Sequence, residues 1–203
     1  MNNTLKILIT LFILTTSVSA GTVSNPYKAG ETINGTAYRT ALKEWINIDF
    51  IVYVGIDNEG DEYIFFHLSK PIFPVTVNQP YDLDKVKNLK IAIQKAIKWV
   101  DVAKKNKADT VKVLGCFGNG ADEECKLSGE ALKRSQLALK FHSWDNGKVA
   151  KLSLSFVDET TNFKTEEINL DIPNMKLFIS ALNEIEKSME KARSAKKNEI
   201  LFD

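Results

Sequence analysis

Phe178, Ala181, Leu182, Ile185, Met189 and Ala192 recur at spacings of three and four, and Pro173 stands just ahead of them. That spacing draws one apolar stripe down an α-helix, and proline suits a first helical turn, where its missing N–H loses no partner. A helix with such a stripe gains its stability by covering it against another element. Val86, Leu89, Ile93, Ala96, Ile97 and Val100 form a second stripe, with Asp82 or Asp84 placed to cap its start and an end expected near Lys105. Two long amphipathic helices therefore need a partner layer, and the rest of the chain must supply it.

The segments before each helix read as strands. Trp45–Ile56 is dense in β-branched and aromatic residues, and Tyr63–Ser69 returns after the turn-forming run Asp57–Glu62, which predicts a hairpin. Lys70–Asp82 carries Pro71, Pro74 and Pro80, so it is expected as a loop or a sheet edge. Gly21–Thr36 is rich in turn formers and is expected as an irregular arm or short edge pieces. Beyond the first helix, Thr110–Phe117 is an apolar, strand-like run, and Gly129–Ser135 reads as a short helical turn. Gln136–Trp144 and Lys148–Val157 flank Asp145-Asn146-Gly147, whose residues tolerate positive φ and suit a tight hairpin. Thr165–Ile172 alternates as a last strand.

Strands then a helix, twice over, predict an α+β fold: a largely antiparallel sheet with both long helices packed on it. The helix openings NLKIAI (Asn88–Ile93) and NMKLFI (Asn174–Ile179) suggest a duplicated strands-then-helix unit, with halves 21–108 and 109–203 of a single domain spanning 21–203. In element order, most of the chain resembles the repeated ββββα plan of Whirly-type single-strand-binding proteins. That resemblance implies a sheet face that is basic and aromatic and takes single-stranded nucleic acid.

Compartment and charge point elsewhere. Met1–Ala20 holds Lys6, the apolar run Ile7–Leu14, and Val18-Ser19-Ala20 in the small-x-small pattern of a signal-peptidase site. The run is far short of the roughly 20 residues that span a bilayer, so a signal peptide cleaved after Ala20 and a periplasmic or secreted protein without a membrane span are expected. The whole chain has 27 Lys+Arg and 26 Asp+Glu; losing Lys6 with the leader leaves 26 of each. Nucleic-acid binding normally needs a basic excess, so no nucleic-acid partner is expected.

In an oxidising compartment, the chain's two cysteines, Cys116 and Cys125 in GCFGNGADEEC, are expected to pair as a disulfide. A structural zinc would ask for about four ligands at short spacing, and the two histidines, His67 and His142, lie far off in sequence. Each histidine follows a phenylalanine in a strand, so if Phe66 and Phe141 face the core, both imidazoles face outward. Trp144, beside the predicted hairpin turn, is the tryptophan least suited to full burial. His67, His142 and Trp144 thus mark a candidate binding surface. The chain has no Gly-x-Ser-x-Gly elbow, no His-Glu-x-x-His and no phosphate-binding glycine loop, and Gly60 in DNEGDE falls at the wrong position for an EF-hand. No cofactor or metal is expected. The reading is an exported, non-catalytic binding module such as an inhibitor, immunity-like protein or envelope adaptor, with a protein partner outside the cytoplasm. A small exported hydrolase, whose site assembles only in three dimensions, is the alternative.

Overall fold

The computed structural model describes residues 23, 25–39, 43–69, 75–118, 136–157 and 167–202. Its elements are β1 (Tyr27–Arg39), β2 (Glu44–Ile56), β3 (Glu62–Ser69), β4 (Val75–Pro80), α1 (Leu83–Asn106), β5 (Thr110–Gly118), β6 (Gln136–Trp144), β7 (Val149–Val157), β8 (Ile168–Leu170) and α2 (Ile172–Phe202). The strands form one eight-stranded sheet in the order β4-β3-β2-β1-β8-β7-β6-β5. Every neighbouring pair is antiparallel. The α+β class, with antiparallel strands and two long helices, is as the alternation of elements predicts. The leader, Lys70–Pro74, Cys125, the predicted turn Gly129–Ser135 and the turn at 158–163 lie outside the described residues.

The sheet buries one face because its strands alternate. Ile48, Phe50, Val52 and Val54 of β2, Ile64, Phe66 and Leu68 of β3, Leu137, Leu139 and Phe141 of β6, and Leu152 and Leu154 of β7 all turn inward. The helices cover that face: α2 lies over β1 and β2, and α1 over β5, β6 and β7. Both predicted stripes supply the cover. All six stripe residues of α2 are buried, as are Val86, Leu89, Ile93 and Ala96 of α1. Phe178 is the centrepiece, edge-on to Phe50 at 4.8 Å and to Phe66 at 6.2 Å. On the other half, Trp99 of α1 meets Phe141 edge-on at 5.6 Å.

Helix ends are held by side chains. The Asp82 carboxylate accepts the N–H groups of Asp84 and Lys85 at the start of α1, and the helix stops at Lys107, whose φ is 49°. Asp171 Oδ1 accepts the Asn174 N–H at 3.1 Å, and its carbonyl accepts the Met175 N–H at 2.8 Å. This cap ends the last strand early: the alternation over Thr165–Ile172 survives as Ile168–Leu170, and α2 opens at Ile172, one residue before Pro173.

One expectation is overturned. The turn-rich stretch up to Thr36 was expected as an arm or edge, yet from Tyr27 it is a thirteen-residue strand at the centre of the sheet. Its small residues serve close packing. A Cβ on Gly30, at φ +73°, would stand 2.6 Å from Ala181 Cα, and one on Gly35 would stand 2.5 Å from Ile168 Cγ2. The predicted β6–β7 hairpin is present, with Asp145, Asn146 and Gly147 at φ 56°, 56° and 71°. Trp144 pairs with Val149, so the loop holds four residues, and the Gly147 N–H donates to Asp109 Oδ1 at 3.2 Å.

Phe178→Ala should lower unfolding free energy by about 3–5 kcal/mol, read from guanidinium denaturation. Gly30→Ala, which adds a methyl group facing α2, should cost about 1–3 kcal/mol through positive φ and the Ala181 contact.

Candidate functional site

The sheet face opposite the helices carries the exposed aromatic side chains Tyr38, Trp45 and Trp144 among polar and charged neighbours. From β1 come Lys28, Thr36 and Tyr38; from β2, Trp45, Asn47, Asp49 and Tyr53; from β6, Lys140, His142 and Trp144; from β7, Lys151 and Ser153. The alternation of Phe66 and Phe141 inward puts His67 and His142 on this same open face. At one end, Val23 and Pro26 lie over Gly55 beside Phe65. Towards the other end Tyr38, Trp45 and Trp144 are exposed.

There, Tyr38 and Trp45 form a cross-strand pair on β1 and β2, with ring centres 5.4 Å apart and planes at 60°. Trp45 is 59% exposed and Tyr38 42%. The Lys151 ammonium lies 5.5 Å from the centre of the Trp45 ring. Between these residues, Ser153 Oγ donates to Asn169 Oδ1 at 2.7 Å, and Asn169 Nδ2 donates to the Thr36 carbonyl at 3.4 Å. This chain of bonds ties β7, β8 and β1 together where β8 is only three residues long.

Beside it stands a charged trio. Lys140 Nζ donates to Glu167 Oε1 at 2.6 Å, and the other carboxylate oxygen lies 3.6 Å from His142 Nε2. At that distance the neutral ring makes no hydrogen bond through Nε2. Burial pushes the His142 pKa down; Glu167 pulls it up, and Lys140 adds to the depression. His67 Nδ1 sits 2.9 Å from Thr76 Oγ1 with the Tyr53 ring edge-on at 6.2 Å, and burial lowers its pKa too.

The two histidines share a face but not a site. His67 stands on β3 beside Thr76 and Tyr53, whereas His142 stands on β6 beside Glu167 and Lys140, so each ring has its own set of neighbours. Trp144 is 41% exposed, so it is not fully buried, but Trp45 is the more exposed. Trp45, Tyr38 and Lys151 were not singled out from sequence. The signal available was the charged run Lys43-Glu44 ahead of Trp45, which marks a strand start near solvent. Cys116 lies on β5 opposite Ala138, half-buried, and its expected partner Cys125 is outside the described residues. Asp57, Glu59 and Asp61 bring carboxylate oxygens within 4.8 Å of one another, but Asp57 Oδ1 already accepts the N–H groups of Glu59 and Asp61 and shapes the β2–β3 turn. Among the described residues no helix is long and apolar enough to cross a membrane.

Both histidines tie stability to pH. Unfolded, each ring takes its proton near pH 6.5; folded, each does so only at lower pH. Between those values the unfolded chain binds more protons, so stability should fall as pH drops through 6.5 and level off below the folded pKa values. Guanidinium midpoints from pH 7.5 down to 5.5 should show the fall, and it should flatten in a His67→Gln, His142→Gln double variant. Set against known protein families, curated proteins and solved structures, the chain matches none.

Proposed function

We propose that the chain is an exported, non-catalytic binding protein that holds its partner on the open face of the sheet, as an inhibitor, immunity-like protein or envelope adaptor would. The proposal includes removal of Met1–Ala20, work in the periplasm or outside the cell, and a Cys116–Cys125 staple beyond β5. One observation carries the choice of surface. The helices close one side of the sheet, while the other leaves Trp45 and Tyr38 uncovered beside Lys151. Exposed aromatic side chains grouped with a cation are the usual anchors of binding sites, because they offer large contact area at small entropic cost. His142 and Trp144 extend the same face along β6, and His67 stands on it at β3. The hydrolase alternative needs the two histidines to work together, and their different partners, Thr76 and Tyr53 for His67 and Glu167 for His142, weigh against it.

A repeated unit is part of this reading. Four strands and a helix occur twice in chain order, and β5 approaches β4 at the sheet's ends as β1 pairs with β8 at its middle. Both features support two copies of one strands-then-helix plan, 21–108 and 109–203.

Two measurements test the proposal. Intact mass of protein recovered from its native envelope or medium should start at Gly21 and show the mass deficit of one disulfide; a chain starting at Met1 with both thiols reduced would overturn the export reading. A photo-crosslinking residue in place of Asn47, exposed on the open face, should form adducts in cells, and one in place of Lys98, exposed on α1, should not. Adducts from Lys98 alone would move the working surface to the helices.

A further inference from the structure

The open face also indicates what chemistry it takes, an inference that rests on the reading above that this face is the working surface. Trp45 and Lys151 stand on β2 and β7, with β1 and β8 between them. Across a flat sheet that is about 14 Å, and the two side chains reach toward each other over a floor of Thr36, Asn169 and Ser153 until ammonium and ring centre are 5.5 Å apart. Asn47, paired with Thr36, is exposed at the rim of that floor.

Of the lysines on this face, one is committed: Lys140 is neutralised by Glu167 at 2.6 Å, while Lys28, bonded to the Thr32 hydroxyl at 2.8 Å, keeps its charge at the opposite end of β1 from Tyr38. Lys151 makes no ion pair with any described carboxylate; its contact is the Trp45 ring. An exposed cation–π contact is weak and exchanges readily with a ligand. The face of the indole is electron-rich, so it also accepts the slightly positive C–H groups on one side of a saturated sugar ring. The exposed Trp45 ring, the Lys151 cation beside it and a border of amides and hydroxyls therefore match a pyranose that bears a carboxylate.

The geometry points to an acidic glycan as the ligand of the open face. A uronic-acid ring lies on Trp45 with Tyr38 at its edge, the Lys151 ammonium swings from the indole to the ring's carboxylate, and Asn47 meets hydroxyls. Single-stranded nucleic acid would also stack on Trp45, but it brings one phosphate per nucleotide and calls for several free cations along its track. Here Lys28, Lys140 and Lys151 are offset by Asp49 and Glu167 on the same face.

The test uses the mature chain with three probes: a galacturonic-acid hexamer, a neutral glucose hexamer and a single-stranded oligothymidylate, followed by tryptophan fluorescence and calorimetry. The galacturonic-acid hexamer should bind about tenfold or more tightly than the neutral one, the difference a charge-assisted contact supplies. Lys151→Gln should abolish that preference without changing the affinity for the neutral hexamer. Trp45→Ala should weaken both sugars about tenfold or more, and Trp45→Phe should restore much of the loss. Unchanged denaturation midpoints would show that substitution at the exposed Trp45 and the half-buried Lys151 leaves the fold intact. No binding of the galacturonic-acid hexamer, binding indifferent to Trp45 and Lys151, or tighter binding of oligothymidylate would each overturn the glycan assignment. Adducts from position 47 to a protein, found without any binding of the galacturonic-acid hexamer, would reject the glycan and keep the surface.

Discussion

Phe178 projects from α2 into the angle between Phe50 and Phe66, while one turn further on Ala181 presses against Gly30 of β1. The two contacts depend on each other. The rings can meet edge to face only if the helix axis lies close to the strands, and it lies that close only because neither Gly30 nor Ala181 has bulk to hold it away. Polar ties along the helix keep the same seat: the Asn34 N–H donates to Asn174 Oδ1 at 3.0 Å, Ser188 Oγ donates to the Lys28 carbonyl at 3.3 Å, and Arg193 grips Glu62 with two bonds of 2.6 and 2.7 Å. The last is partly exposed and adds little by itself; it fixes where the far end of α2 lies over β3. With one sheet face sealed in this way, neither of the two described helices covers the other.

The helices also interlock the two halves of the chain. α1 follows β4 at one end of the sheet but packs over β5, β6 and β7 near the other, and α2 follows β8 but packs over β1 and β2. Each helix therefore closes the strands of the other half. A cut between residues 108 and 109 would leave each set of strands without the helix that covers it, so the halves depend on each other whatever their origin. The exchange also brings β8 against β1 and places the Ser153–Asn169–Thr36 bonds at the junction, beneath Trp45 and Lys151. The most exposed part of the open face is thus built on the seam that joins the halves.

Much of the fold was legible because its signals are local. Stripes at helical spacing, Asp82 as a cap, and the outward turn of His67 and His142 each follow from a few neighbouring residues. β1 was obscured because its inward positions are Ala29, Ile33, Gly35 and Ala37, a composition that resembles a turn-rich arm until Ala181 and Ile168 are brought against it. The site was harder still. Glu167 joins Lys140 and His142 only across β7, and Lys151 reaches Trp45 only across β8 and β1. No spacing within one segment announces contacts of that kind. Trp144 drew notice for its place beside a turn, but adjacency to a turn says less about exposure than the number of strands and helices that close over a ring.

The sheet's two ends indicate which mode of recognition the fold permits. An open edge invites strand addition, in which backbone groups supply the binding and side chains only refine it. Here β4 finishes at Pro80, which has no N–H to donate, and β5 breaks register between Val113 and Gly115 while presenting Lys112. The two edges also approach one another, which narrows the room for an added strand. Backbone pairing is thus disfavoured at both ends, which is why the proposed recognition is assigned to side chains standing off the open face. For such a surface, specificity must come from the shape and charge of a few groups. Tyr38, Trp45 and Lys151 are the ones that no other part of the described chain has already claimed for its own stability, beyond the light contacts they make with each other.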